Sequence, residues 1–177
     1  MKVFVLAVFL IVAETAQAPG DRADWLAGNW HCDSRAGSRS NRTYSSVNNG
    51  ASLNMRSTVR LPSGLFAFLR ERYDYDAATI TWTIDSPQSA LWGPMHATAA
   101  PWLGREWTFT GTGSAPSAIG EMGPERPMRM IYTTIGDDSF HRQHQVRGDG
   151  TWQTYSEETC YRDSAPRPRP TGTPKDD

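Results

Sequence analysis

Alternation of apolar and polar residues is the feature of this chain that most limits its possible folds. A period of two places successive side chains on opposite faces of a β-strand, so that one face is buried and the other meets solvent. The pattern recurs in "TITWTI" at 79–84 and in "REWTFTG" at 105–111. In the segment 53–61, the apolar members are Leu53, Met55, Val59 and Leu61. The chain is therefore predicted to consist mainly of strands.

Short turn sequences separate these strands. Examples are Asn48-Asn49-Gly50, Pro62-Ser63-Gly64 and Gly148-Asp149-Gly150, which contain the residue types typical of tight turns. Connections of this length suit antiparallel hairpins and leave no room for crossover helices. The pattern predicts a meander of nine or ten strands. They are expected at 27–35, 40–47, 51–61, 65–75, 79–84, 95–99, 105–111, 127–135, 138–147 and 151–162.

Two cysteines suggest how the sheet ends. Cys32 lies in the first predicted strand and Cys160 in the last. In an oxidising compartment they are expected to form a disulfide bond, which would place these two strands side by side. A closed sheet has no exposed edges, which favours an all-β, closed, antiparallel up-and-down β-barrel. A two-sheet sandwich could also bring the cysteines together and stays open as an alternative.

Both ends of the chain are expected to lie outside the barrel. Residues 1–18 match an export signal, with Lys2, the apolar run 3–13 and a small-residue cleavage site at Ala16-Gln17-Ala18. Residues 19–163 would form the barrel, with a short helical turn over 21–27 in which Asp21 caps and Trp25 and Leu26 close the floor. The proline-rich segment 164–177 is predicted to be disordered. These features predict a secreted or periplasmic bacterial protein.

The net charge of the chain and its lack of known catalytic motifs limit the classes of function that it could have. Removing Lys2 and Glu14 with the signal leaves the formal net charge at −1. A charge this small predicts neither nucleic acid nor a membrane as a partner. The protein is expected to be a monomer. The chain contains no nucleophile elbow, phosphate loop, zinc-protease motif or dinucleotide fingerprint. We therefore predict no enzyme activity, catalytic residue, metal site or cofactor. His141 and His144, three residues apart on a strand, would point to opposite faces.

If the disulfide faces the interior, alternation assigns the inner face of other strands. The strand 65–75 would then present Leu65, Ala67, Leu69, Glu71, Tyr73 and Tyr75. The strand 138–147 would present Phe140, Arg142, His144 and Val146. The last strand would present Trp152, Thr154, Ser156, Glu158, Cys160 and Arg162. Because unpaired buried charges are costly, Glu71, Glu158, Arg142 and Arg162 are expected to contact one another or water, either as a structural network or as the polar anchor of a ligand site.

The opening "GNWHC" resembles the Gly-x-Trp signature of lipocalins and related calycin barrels, with Gly28 and Trp30 in the two positions. Near the end, "CYR" places Arg162 where such barrels often carry an arginine over that tryptophan. The resemblance implies that Trp30 and Arg162 close one end of the barrel through a cation stacked on an indole.

The wider pattern is similar to a group of bacterial secreted, lipocalin-like proteins of unassigned function. The matching stretches are "WLAGNWHC", "YDYD", "TWTI", "PMRMIYT", "DDSFHRQHQV" and "GDGTWQTYSEETCYR". Because that group has no settled activity, the resemblance implies a fold and leaves the function open.

Three functional hypotheses follow. The first is a binding barrel that takes a small, partly apolar ligand. Its candidate lining residues are Tyr73, Trp82, Trp107 and Phe109, with Arg142 or His144 as the polar contact. The second is haem binding through His144, implied by a likeness to barrels of the nitrobindin kind, although this chain lacks their glycine-rich repeat after the tryptophan. The third is a protein–protein role, such as a periplasmic protease inhibitor. A cavity of ~300 Å³ or more would favour ligand binding, and a packed interior would favour a structural or interaction role.

Overall fold

The structure of the protein is a computed structural model that describes residues 23–87, 93–115 and 121–164. Ten strands close into one antiparallel barrel, in which sequence neighbours pair and the first strand pairs with the last. This confirms the predicted up-and-down barrel, which is consistent with a lipocalin-like fold, and it excludes the two-sheet sandwich. The predicted export signal, the Asp21 cap and nearly all of the predicted tail fall outside the described residues.

The strand boundaries lie close to the predicted ones because alternation and turn residues mark them directly. The first five strands are β1 Gly28–Ser34, β2 Arg39–Val47, β3 Ser52–Arg60, β4 Phe66–Asp76 and β5 Thr81–Ser86. The other five are β6 Met95–Ala99, β7 Glu106–Gly113, β8 Arg126–Gly136, β9 Ser139–Gly148 and β10 Thr151–Arg162. Short 3-10 helices span Ala23–Leu26 and Asn48–Gly50. Within the described ranges, no helix is long and apolar enough to cross a membrane.

A disulfide bond ties the closing seam of the barrel. Cys32 of β1 and Cys160 of β10 are direct cross-strand partners, and their sulfur atoms are 2.03 Å apart. Both cysteines are buried. The predicted bond is therefore present, and it fits an oxidising environment.

The two ends of the barrel differ. At one, here called the plugged end, lie the helix Ala23–Leu26 and the connections β2–β3, β4–β5, β6–β7 and β8–β9. At the other, here called the loop end, lie the remaining five connections. Leu26 is fully buried and Trp25 packs on Trp30, as predicted for the floor of the barrel.

The barrel interior is filled by large side chains that contact one another. The rings of Trp102 and Trp107 stack with centroids 5.2 Å apart, and the Phe109 ring lies 4.5 Å from that of Trp107. Trp30 and Phe140 continue this packing toward the plugged end at 4.8 Å. Aromatic pairs at these separations stabilise the core beyond their burial of area.

One expectation about β10 is wrong. The β9–β10 ladder pairs Thr154 with Gln145 and Ser156 with His144, so that Tyr155 is an extra residue in a β-bulge. The bulge reverses the alternation before it, and Trp152 and Thr154 therefore lie on the outer face instead of the predicted inner face. Alternation alone could not show this because it assumes one residue per ladder position.

A second expectation fails at the β3–β4 connection. Leu65 is 67% exposed, although it was assigned to the interior. Strand β4 begins one residue later, and the Leu65 carbonyl accepts a hydrogen bond from the Leu61 amide in the turn. Ala67, Leu69, Glu71 and Tyr73 do face inward, as the alternation predicts. Tyr75, half-buried, packs against the core as expected.

Candidate functional site

Arg162 and Trp30 form the predicted closure of the plugged end. The guanidinium carbon of Arg162 lies 4.3 Å from the Trp30 ring centroid. Its Nη1 donates to the Ala27 carbonyl at 2.8 Å and its Nη2 to the Trp25 carbonyl at 2.6 Å. Gly28 has φ +130°, and a Cβ there would come 2.8 Å from Arg162 Nη1. The glycine of the Gly-x-Trp motif is therefore required by backbone conformation and by the closeness of the arginine.

Two arginines and two glutamates form a group of ion pairs across the middle of the barrel. Arg142, fully buried, pairs with Glu71 of β4 and lies 3.7 Å from Glu158 of β10. Arg42 of β2 pairs with Glu158 at 2.6 Å. The predicted pairing of Arg142 with the two glutamates is present, and the fourth member is Arg42, which sequence reasoning missed. Arg162 does not join this group because it lies at the plugged end.

The electrostatics of this group favour fixed protonation states. Burial has the largest single effect on the pKa of Arg142 and lowers it, but the combined interactions with Glu71, Tyr132, Tyr73 and Tyr44 hold this pKa well above the usual arginine value. Burial also raises the pKa of the Tyr73 hydroxyl, and the negative charge of Glu71 raises it further. That hydroxyl donates to Glu71 Oε2 at 2.6 Å. Groups held this firmly in one state suit a structural network better than proton transfer.

His144 faces inward and His141 outward, as predicted. The Nδ1 atom of His144 lies 3.2 Å from Ser156 Oγ, and its Nε2 atom lies 3.0 Å from Met130 Sδ. Burial lowers its pKa well below the usual histidine value, and the positive charges of Arg142 and Arg42 lower it further. The lowered pKa favours the neutral form of the imidazole.

The space beside His144 is small. A cavity of about 10 Å³ lies there, lined also by Glu71, Ser86, Met95 and Met128. This volume holds about one water molecule. Both ring nitrogens of His144 already have neighbours, so the described residues around this imidazole do not fit a haem.

The other residues proposed to line a ligand cavity are all interior, and they contact one another. The Tyr73 and Phe109 rings are 5.7 Å apart, and those of Trp82 and Trp107 are 5.6 Å apart in an edge-to-face arrangement. Trp107 Nε1 donates to the Ala100 carbonyl at 2.9 Å. In the described part of the barrel, these side chains act as core.

An outer-surface groove of about 390 Å³ runs over β1, β9 and β10. Its polar groups largely satisfy one another: Arg35 Nη1 pairs with Glu157 Oε1 at 3.0 Å, and His141 lies 3.7 Å from the same carboxylate. The hydrogen bond from Arg35, aided by one from Gln143, lowers the pKa of Glu157. The charges of Arg35, Glu157 and His141 in this groove are therefore paired with one another.

Potential metal ligands were also considered across residues 23–87, 93–115 and 121–164. The one set of three that lies close enough to share an ion is Cys32, Glu158 and Cys160. Both sulfur atoms are in the disulfide bond, and a metal is bound by the thiolate.

The outer face of the β3–β4 hairpin presents exposed apolar groups. Leu65, Phe66 and Phe68 are 67%, 62% and 71% exposed. Sequence reasoning missed this surface although a signal was present: if Ala67 and Leu69 face inward, Phe66 and Phe68 must face outward.

Arginines without acidic partners surround these side chains. Arg60 lies opposite Phe66, and Arg56 lies opposite Arg70. Within the described part of the chain, Arg56, Arg60 and Arg70 form no ion pair, whereas nearby Arg72 bonds to Asp74 at 2.7 Å. Like charges directly opposite on a sheet are destabilising. We call the six residues Leu65, Phe66, Phe68, Arg56, Arg60 and Arg70 the hairpin patch.

Comparison with known proteins gives no further guide to this surface. No family model matches the chain, and no curated protein is similar to it.

Proposed function

We propose that this chain is an exported, lipocalin-like barrel that acts as a binding module through its outer surface, with its interior serving as a structural core. It belongs, in this proposal, with the secreted bacterial barrels that its opening motif resembles, and it has no catalytic activity. The observation that carries the proposal is the hairpin patch, in which Leu65, Phe66 and Phe68 are 67%, 62% and 71% exposed beside arginines that form no ion pair with a described residue.

The interior supports this assignment. Small-molecule sites usually have volumes of ~300–1,000 Å³ and a few polar groups left free to orient the ligand. The cavity beside His144 is about 10 Å³, and the carboxylates of Glu71 and Glu158 are already paired with arginines. A small apolar ligand inside the barrel stays a prediction that this packing does not favour.

The exposed surface supports the assignment independently. Adjacent exposed apolar side chains mark interaction sites more often than isolated ones do. The direct pairing of Arg56 with Arg70 lowers stability, and such local costs in natural proteins concentrate where function requires them.

Site-specific photocrosslinking tests this proposal whatever the class of the partner. Benzoylphenylalanine, which forms bonds to nearby C–H groups, would replace Phe68 in protein exported by its native host. The matched control places it at Leu103, which is 66% exposed at the plugged end. We expect a defined adduct, protein or lipid, from position 68 and none from position 103. Equal labelling from both positions, or no adduct from position 68, would refute the proposal.

A further inference from the structure

We infer that the partner of the hairpin patch is an anionic phospholipid surface. This inference rests on the proposed function and names the partner class for the same site. It is argued from the position of the apolar side chains and the chemistry of the arginines.

The apolar side chains project from the tip of the β3–β4 hairpin. Leu65 ends the turn, Phe66 begins β4, and Phe68 follows two residues later on the same outer face. The two phenylalanines are thus neighbours along one face, about 6.8 Å apart along the strand. The outer surface of a closed barrel is convex, so these exposed groups protrude from the described surface of the hairpin. A protruding apolar tip suits the deformable boundary between headgroups and acyl chains, where apolar side chains of peripheral proteins are buried.

The arginines supply the complementary charge. Arg60 lies opposite Phe66, Thr58 lies opposite Phe68, and Arg56 and Arg70 form the following outward-facing pair toward the middle of the hairpin. Guanidinium groups match phosphate oxygens in a bidentate geometry, and phosphate charge would relieve the repulsion between Arg56 and Arg70. Each basic residue near an anionic bilayer strengthens binding about fivefold.

The opposite end of the molecule carries exposed acidic groups. Asp24, Asp76, Asp137 and Asp163 are exposed at the plugged end. Exposed acidic groups also lie at the loop end, among them Asp33, Asp85 and Asp149, so charge is not separated along the barrel. The arginines clustered on the β3–β4 hairpin are the local feature that would be attracted to an anionic surface.

Vesicle co-sedimentation tests the inference with purified, disulfide-bonded protein. Vesicles of phosphatidylcholine alone are compared with vesicles that also contain phosphatidylglycerol, at low and high salt. We expect binding to the anionic vesicles only, weakened by salt because charges are screened. Arg56→Gln/Arg70→Gln should lower the partition coefficient about 25-fold. Phe66→Ser/Phe68→Ser should lower it about tenfold or more.

Matched controls use equally exposed residues elsewhere on the barrel. Leu103→Ser/Ile135→Ser removes exposed apolar groups at the plugged end. Arg126→Gln/Arg147→Gln removes exposed charges on β8 and β9, across the barrel from β3. Both control variants should bind anionic vesicles as the parent protein does. All variants share one N-terminus, so a difference between them reports on the hairpin patch.

Several results would overturn the inference. Equal binding to neutral and anionic vesicles would do so, as would equal losses in the control and patch variants. Absence of vesicle binding together with a protein adduct at position 68 would replace lipid with a protein partner and leave the proposed function intact. Self-association in sedimentation velocity that Phe66→Ser/Phe68→Ser abolishes would assign the patch to a second copy of the chain. Absence of both vesicle binding and an adduct would remove the proposed function as well.

Discussion

The barrel interior and the hairpin patch use the same residue types in opposite ways. Inside, Arg142 is paired with Glu71 and lies close to Glu158, while on the outer face Arg70 lies opposite Arg56. The aromatic rings of the interior contact one another, whereas Phe66 and Phe68 are mostly exposed. Composition alone does not distinguish these regions. The difference lies in their partners. The interior arginines pair with glutamates, although Arg42 Nε and Nη1 and Arg142 Nη1 have no hydrogen-bond partner among the described residues, whereas the patch arginines form no ion pair with a described residue.

Breaking the interior ion pairs should have the largest effect on stability. Arg142→Met would leave Glu71 buried without its cation and Glu158 with one cation fewer. Removing one partner of a buried pair typically lowers the free energy of unfolding by about 3–5 kcal/mol. Urea denaturation followed by tryptophan fluorescence measures this change.

Arg70→Met is the matched control on the outer face. It removes one of two opposed like charges and should change the free energy of unfolding by no more than about 0.5 kcal/mol. Similar losses in the free energy of unfolding for Arg142→Met and Arg70→Met would contradict the proposed distinction between the two regions.

Gly28→Ala should have the next largest effect on stability, because the added methyl group disturbs the plugged end in two ways. The residue has φ +130°, and the added methyl group would meet Arg162 Nη1 at 2.8 Å. We expect a loss of about 2 kcal/mol in the free energy of unfolding. Gly148→Ala is the control, since a methyl group there meets only Gln153 at an ordinary 3.7 Å. A Gly28→Ala variant as stable as the Gly148→Ala variant would show that the closure tolerates a side chain.

The lowered pKa of the buried His144 predicts that the free energy of unfolding depends on pH. Its folded pKa lies well below the unfolded value because of burial and of the charges on Arg142 and Arg42, with Glu71 also lining its cavity. The stabilisation is complete above about pH 6.5 and is lost as the pH falls toward the folded pKa, since only the unfolded chain binds the proton there. Stability should decrease by about 1.4 kcal/mol per pH unit below 6.5.

Chemical denaturation at a series of pH values measures this slope. His144→Gln should flatten it, and His96→Gln, a change on the exposed outer face of β6, should leave it in place. A slope that survives His144→Gln would assign the acid sensitivity to another group.

The smallest expected change in stability belongs to the patch itself. Phe66→Ser and Phe68→Ser should each alter the free energy of unfolding by about 0.5 kcal/mol or less, because neither ring is part of the core. Circular dichroism during thermal unfolding provides the check. A large loss would mean that these rings support the fold and would remove the main argument for a contact surface.

The sequence predicts much of this fold because its local signals agree. Alternation and turn residues define the strands, and Cys32 and Cys160 imply the closing seam. The bulge at Tyr155 could not be predicted from these local signals, because an extra residue in a ladder depends on how two strands pair. Arg42 escapes because its partner, Glu158, is 116 residues away in sequence and adjacent only after the barrel closes.

The hairpin patch could not be predicted from the sequence for a different reason. Net charge sums over the whole chain and does not show that three arginines lie together on one hairpin beside exposed apolar side chains. Only the register of β3 with β4 shows that Arg56 and Arg70 are direct neighbours. The sequence therefore predicts the scaffold better than the surface on which its proposed function depends.

Native mass spectrometry of protein purified without denaturation tests most directly whether the interior is a core or a container. We predict the mass of the disulfide-bonded chain alone, identical in adduct content for the parent protein and for Phe66→Ser/Phe68→Ser. A small molecule retained at one per chain in both proteins would place a ligand away from the hairpin patch and contradict the account.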